Sequence, residues 1–250
     1  MIELTDHGAV RELRLARPPA NAFNPDLTRE LTEQIIVAPT EGAQAIVISG
    51  APGMFTGGLD VPELLTLDRD EMLAFWQSFH EMLRVVASSE VPVVAAITGH
   101  SPAAGAVLVA FCDHRVMAEG RFKIGMNEVQ VGLSVPPFIQ YAMKRLTGAR
   151  VGDALLIAGA LIAPAEALRV GLVDEVVPED EVVPTAISWA ERTVALPRAA
   201  MLETRRIGRA DLVAQFANIT EADHEKSTER WFGEETQTAM RTMVERLAAR

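Results

Sequence analysis

The stretch from Val91 to Val135, VPVVAAITGHSPAAGAVLVAFCDHRVMAEGRFKIGMNEVQVGLSV, organises the reading of this chain. It opens on a continuous apolar run, VPVVAAIT, which predicts a strand covered on both faces. A turn of small residues follows, in which Gly99, Ala103, Ala104 and Gly105 have almost no side chain. Next come a short apolar helix, two further strands, DHRVMAE and FKIG, and then a single carboxylate, Glu128, in an otherwise apolar run. N–H groups at a helix start lack intrahelical partners, and side chains this small let a ligand approach them. A pocket of such donors followed by a lone carboxylate is what enolate chemistry on a carbonyl compound needs. On local context alone Glu128 reads equally as a partly desolvated base or as a surface carboxylate at a turn.

Moving outward, IELT and AVRELRLAR, joined by Asp6-His7-Gly8, predict a hairpin. Asn24 is placed to cap a helix that starts at Pro25 and carries Leu27, Leu31, Ile35 and Ile36 at helical spacing. AQAIVIS reads as another buried strand, followed by the loop SGAPGMFTGG. From about Asp68 to Ala87 a long helix is predicted, with Met72, Phe75, Trp76, Phe79 and Leu83 along one side. That stripe serves either core packing or an acyl tunnel. Strands alternating with helices predict an α/β layered sheet. Beyond Pro136 the pattern turns mostly helical, and from Asp211 onward it reads as two amphipathic helices broken near Gly233.

A chain of 250 residues, nearly half of them apolar, has enough material for a sizeable core. Its net charge of −11 argues against nucleic-acid or phospholipid binding, which needs a basic surface. The one cysteine, Cys112, excludes an intrachain disulfide, and its setting in AVLVAFCD reads as core. The run from Pro102 to Cys112 is shorter than the roughly 20 residues of a membrane span, and MIELTDHG lacks the pattern of a signal peptide. A soluble, cytoplasmic protein is expected. No His/Cys/Asp/Glu spacing suggests a metal site, and neither GxxxxGK[ST] nor GxGxxG occurs.

Four motifs together resemble the crotonase (enoyl-CoA hydratase/isomerase) superfamily. They are ARPPANAFN, IVISGAPGMFTGGLDVPEL from Ile46 to Leu64, AITGHSPAAGAVLVAFCDHRVMAEG with FKIGMNE, and APAEALRVGLVDEVVP from Ala163 to Pro178. They stand in the family's order, and IGMNEVQVGL most resembles its Δ3,Δ2-enoyl-CoA isomerase branch. The resemblance implies a spiral core of repeated ββα units over residues 1–195. It also implies a C-terminal helical region, residues 196–250, packing on neighbouring subunits as a trimer or dimer of trimers. The tail's Trp231, Phe232, Met240, Met243 and Leu247 look too many for one small helical layer to bury, which agrees with such assembly.

The resemblance assigns roles as well. Glu128 corresponds to the isomerases' acid/base, and the backbone N–H groups of Leu59 and Ala104 to the oxyanion donors. The coenzyme's adenine would lie against the backbone of Phe55, Thr56, Gly57, Gly58 and Asp60. Its pantetheine arm would pass between the two loops beside Ala103, with Ala20 and Ala22 bordering the coenzyme. Coenzyme A enters as part of an acyl-CoA substrate, and no separate cofactor is expected. Hydratases of the family carry a second glutamate two residues after the last glycine of the donor turn; here that position is Val107. Hydration is easier with two carboxylates, whereas moving a proton from C2 to C4 needs one. The expected activity is therefore 3-enoyl-CoA to 2-enoyl-CoA isomerisation in unsaturated fatty-acid oxidation. Hydration, another crotonase-type reaction, or acyl-CoA binding without catalysis are the alternatives. Asp60 reads mainly as a helix cap, and His100 is a second candidate base. Arg17, together with Lys226 or Arg230 from a neighbouring tail, are candidate phosphate contacts.

Overall fold

The computed structural model describes residues 1–248, with side chains to residue 246; Leu247 lies outside the described side chains. β1 (Ile2–His7) and β2 (Val10–Leu15) form the expected antiparallel hairpin. The Asn24 side chain caps α1 (Pro25–Thr40) by accepting from the Leu27 N–H at 2.9 Å. Leu27, Leu31 and Ile35 point inward, but Ile36, expected among them, is exposed because it falls one position past the buried stripe.

Three turns of strand, short strand and helix then wind the spiral. The first is β3 (Ala45–Ser49) and β4 (Gly53–Met54), followed by the short α2 (Val61–Leu64) and the long α3 (Arg69–Ser88). The second is β5 (Val93–Ile97), β6 (Gly99–Pro102) and α4 (Ala104–Ala110). The third is β7 (His114–Ala118), β8 (Ile124–Gly125), a 3-10 turn over Glu128–Val131, and α5 (Pro137–Thr147). Each long strand enters one sheet and each short strand a second. The large sheet runs β1-β2-β3-β5-β7-β9, parallel from β2 onward, and the small one β4-β6-β8.

The chain continues through α6 (Ala149–Ala158), α7 (Pro164–Arg169), β9 (Glu175–Val177), α8 (Val182–Val194), α9 (Arg198–Gly208) and α10 (Ala210–Ala214). It ends in α11 (Glu221–Trp231) and α12 (Glu234–Ala248), broken at Gly233 as expected. Residues 211–218, expected to belong to the first of two tail helices, instead form the end of α10 and a 3-10 turn that stops before Thr220. Thr220 opens α11 with its own capping box, so the helix restarts there.

β5 is apolar at every position, and β3 at all but Ser49, because helices cover both sheet faces. Val47, Val94, Ala96 and Val116 meet Val182, Ala186 and Ala190 of α8, spaced four apart along one helical stripe. Ile46, Ile48, Val93, Ala95 and Ile97 face the main core with α1, α3 and α4. The tail folds back on its own chain. α11 packs on α3, and α12 packs on the 3-10 turn and on α2. Trp231 and Met240 are thereby fully buried within one chain, so these residues do not by themselves call for a partner subunit. No described helix is long and apolar enough to cross a membrane.

Candidate active site

The ARPPANAFN segment shapes the first donor loop. Gly57 N–H donates to the Ala20 carbonyl at 2.6 Å, and the Thr56 hydroxyl donates to the Asn21 carbonyl at 2.7 Å while accepting from Gly58 N–H at 3.1 Å. Phe23 donates its N–H to the Gly58 carbonyl and accepts from the Asp60 N–H. The Leu59 N–H between them has no partner among the described residues.

The second donor comes from the start of α4. Ala103 sits at φ +46°, an uncommon conformation for a residue with a Cβ. Its N–H donates to the Gly125 carbonyl at 2.8 Å and its carbonyl accepts from Val107 N–H at 2.9 Å. The strained residue is therefore Ala103, and Ala104 adopts ordinary helical geometry as the first residue of α4. The Ala104 N–H is one of the orphan donors of a helix start and has no partner among the described residues. The two loops touch at Gly58, whose φ is +94°: a Cβ there would lie 3.3 Å from Ala103 Cβ and 3.8 Å from Ala104 N. Gly105 packs tighter still, where a Cβ would fall 2.5 Å from Thr56 Cγ2.

Glu128 begins the 3-10 turn after β8. The residue as a whole is half-buried, but its Oε2 is out of solvent reach and unpaired among the described residues. Burial raises its pKa from an ordinary 4.5 to about 7, opposed only by a hydrogen bond from its own backbone. Desolvation of this kind disfavours the charged form and yields a base suited to neutral pH.

Glu128, Leu59, Ala104, Gly57 and Ala103 all line one cavity of about 440 Å³. The other residues expected at the site lie behind this wall. Phe55 and Thr56 are fully buried, and Thr56 spends its hydroxyl on shaping the loop. Ala20 and Ala22 are half-buried on the segment that clamps the loop. The Asp60 carboxylate caps α2 through Glu63 N–H and pairs with Arg17 at 2.6 Å, which commits both residues internally. Arg17 also pairs with Glu63, so its charge is already met by protein carboxylates.

The expected stripe on α3 divides: Met72 and Phe75 are core, whereas Trp76 and Phe79 reach the cavity. Val107 lines it too, buried and apolar. His100 does not line it; its Nδ1 accepts from Lys123 N–H, and its ring stands edge-on to Phe122. Arg230, considered as a contact from a neighbouring tail, lines this chain's own cavity, with its guanidinium on the Ser134 hydroxyl. Asn127, His80 and Ser227 also belong to the wall and were not legible as site residues. The available signals were the adjacency of Asn127 to Glu128 and the spacing of His80 one turn beyond Trp76. Cys112 is a buried core thiol whose pKa burial pushes up to about 12. Among the described residues no cluster is placed to hold a metal ion.

The family model for "Enoyl-CoA hydratase/isomerase" matches residues 5–250. This chain belongs to the enoyl-CoA hydratase/isomerase family. Among its relatives, the human protein named enoyl-CoA delta isomerase 1, mitochondrial, is 30% identical over 97% of this chain and 82% of its own length. A Mycobacterium avium protein named probable enoyl-CoA hydratase echA17 is 32% identical over 76% of this chain and 74% of its own. The crystal structure of human mitochondrial delta3-delta2-enoyl-CoA isomerase superposes with a TM-score of 0.94 at 28% identity, covering 99% of this chain and 98% of that one. The spiral ββα core expected from the sequence is thus the fold of this family member.

Proposed function

We propose that this enoyl-CoA hydratase/isomerase family member is an enoyl-CoA isomerase that moves a 3,4 double bond of an acyl-CoA to the 2,3 position. The observation that carries the reading is one dry, unpaired carboxylate sharing a cavity with two unpartnered backbone N–H donors. In this mechanism Glu128 takes a proton from C2. Negative charge then builds on the thioester oxygen, where Leu59 and Ala104 N–H stabilise it by about 3 kcal/mol each. The same carboxylate, now protonated, returns the proton at C4. Glu128 is regenerated, and the double bond ends in conjugation with the thioester. The names of the human and mouse relatives support the same activity.

Val107 favours isomerisation over hydration, because an apolar wall offers no bond to hold an attacking water. The coenzyme moiety is proposed to enter between the two donor loops, past Gly57 and Ala103. The proposed setting is a reducing aqueous compartment. The deciding assay follows the conjugated enoyl absorbance with 3-enoyl-CoA and 2-enoyl-CoA of matched chain length at saturation. Absorbance should rise with the first, and loss of the second should be at least a hundredfold slower. Comparable rates would make the enzyme a hydratase, and no change with either would leave an acyl-CoA-binding protein.

A further inference from the structure

Arg230, near the end of α11, is the one cavity-lining residue among those described that is positively charged at neutral pH. His80, the other basic group on the wall, is neutral there, because burial lowers its pKa to about 3. Acidic residues outnumber basic ones 34 to 23 in this chain, yet Arg230 pairs with no carboxylate among the described residues. Its Nη1 donates to the Ser134 hydroxyl, which holds the guanidinium against the segment that follows Glu128. Arg230 and Ser134 both line the cavity and are both exposed to solvent, so the group stands at the opening and not in the sealed wall.

A guanidinium is a permanently charged, planar fork of N–H donors. With Nη1 on Ser134, the edge formed by Nε and Nη2 is free among the described residues. That edge matches the two oxygens of a carboxylate, which it binds through two parallel hydrogen bonds. Position decides which part of an acyl-CoA meets it. In the proposed reaction the thioester oxygen sits at Leu59 and Ala104, C2 and C4 sit at Glu128, and the coenzyme leaves between the donor loops. Arg230 belongs to neither loop. It comes from α11, which packs on α3, and it is tied to the stretch beyond Glu128, so it borders the space left for the acyl chain past C4. The rest of that space is walled by Trp76, Phe79, Leu133 and Ile139.

We propose that Arg230 receives a carboxylate at the far end of the acyl chain, which makes coenzyme A monothioesters of unsaturated dicarboxylic acids substrates of this enzyme. This rests on the acyl-CoA reading above. The apolar wall then acts as a ruler. A chain that is too short leaves its carboxylate desolvated against Phe79, Leu133 and Ile139, which costs binding. A chain that is long enough brings the carboxylate to the guanidinium at the solvent edge.

The test is calorimetric titration of the intact protein with saturated acyl-CoA thioesters, which bind but have no double bond to move. Methyl-ended thioesters of increasing length are each compared with the ω-carboxyl thioester of the same length, and with coenzyme A alone. At one or more lengths the ω-carboxyl thioester should bind about tenfold tighter than its methyl-ended partner, about 1.4 kcal/mol; at shorter lengths it should bind more weakly. Arg230→Gln should erase the tighter binding, and Arg230→Lys, which keeps the charge but not the fork, should restore part of it. If no ω-carboxyl thioester outbinds its partner on the wild-type protein, the subsite does not exist, whether or not the variants fold. If Arg230→Gln weakens coenzyme A and both kinds of thioester by one common factor, Arg230 meets a coenzyme phosphate and the proposal is overturned. A preference that survives Arg230→Gln overturns it equally. Failure of coenzyme A and every thioester to bind would instead remove the acyl-CoA reading, and this proposal with it.

Discussion

Glu128, the proposed acid/base, sits where ionisation is expensive, and that has two measurable consequences. The first is kinetic. With a pKa near 7, kcat/KM should rise about tenfold per pH unit below neutrality and level off above it. The second concerns stability. The folded pKa lies above the ordinary 4.5, so the group's favourable contribution is complete below pH 4.5 and is lost as pH rises through 7. The loss amounts to about 3 kcal/mol. Glu128→Gln cannot ionise and should escape it. The variant should match wild type in thermal melts at pH 4.5 and melt higher at pH 8, while isomerase turnover falls at least a hundredfold. Turnover within tenfold of wild type would remove Glu128 as the base.

At the scale of elements, the site depends on how closely α4 approaches the loop before α2. Two glycines and two alanines bring the two donors to one place, and the Ala103 backbone is strained in doing so, at a cost of about 1–3 kcal/mol. Gly105→Ala would drive a methyl against Thr56 and against Ser101 Oγ, 2.7 Å away. Neither neighbour is a flexible chain end, so α4 must shift and carry the Ala104 N–H with it. The expected result is a lower melting temperature and at least a tenfold loss in kcat, with a smaller change in KM, because the donor matters most when charge develops on the oxygen. Equal kcat in wild type and variant would mean that Ala104 is not a donor to the reacting oxygen.

Over the whole molecule, the tail completes the cavity of its own chain. α11 and α12 bring Ser227, Arg230, Met240 and Met243 to the wall and bury Trp231 behind it. Removing residues 219–250 should open the cavity and expose the apolar side of α3. Loss of activity and aggregation detectable by light scattering are expected; a monodisperse, active fragment would contradict this account. The apolar residues left on the surface lie elsewhere. They are scattered over several elements, Ile36 on α1 and Ile207 on α9 among them, and the most exposed is Ile157 on α6, at 80%, with the exposed Val129 beside α6 on the 3-10 turn. We expect this face to mediate homo-oligomerisation, as a trimer or dimer of trimers. Ile157→Lys should lower the mass measured by light scattering at micromolar concentration. A monomeric wild-type mass would refute the expectation.

The buried strands, the α3 stripe and the Asn24 cap were legible in the sequence because they follow from local patterning: continuous apolar runs, a 3.6-residue period and a capping side chain. The motifs that resemble the family singled out Glu128, Leu59 and Ala104, and the structure brings these three to one cavity. Tertiary packing alone decided the rest. The placement of α11 and α12 on their own chain depends on where a distant helix returns, which no local pattern encodes, and with it went the burial of Trp231 and Met240 and the position of Arg230. His80 read as one more residue on a helix. Its place in the cavity wall arises only where α3 and α11 meet across well over a hundred residues of chain. The dryness of Glu128 is likewise a property of what surrounds it: the sequence supplies the carboxylate, and the packed cavity raises its pKa.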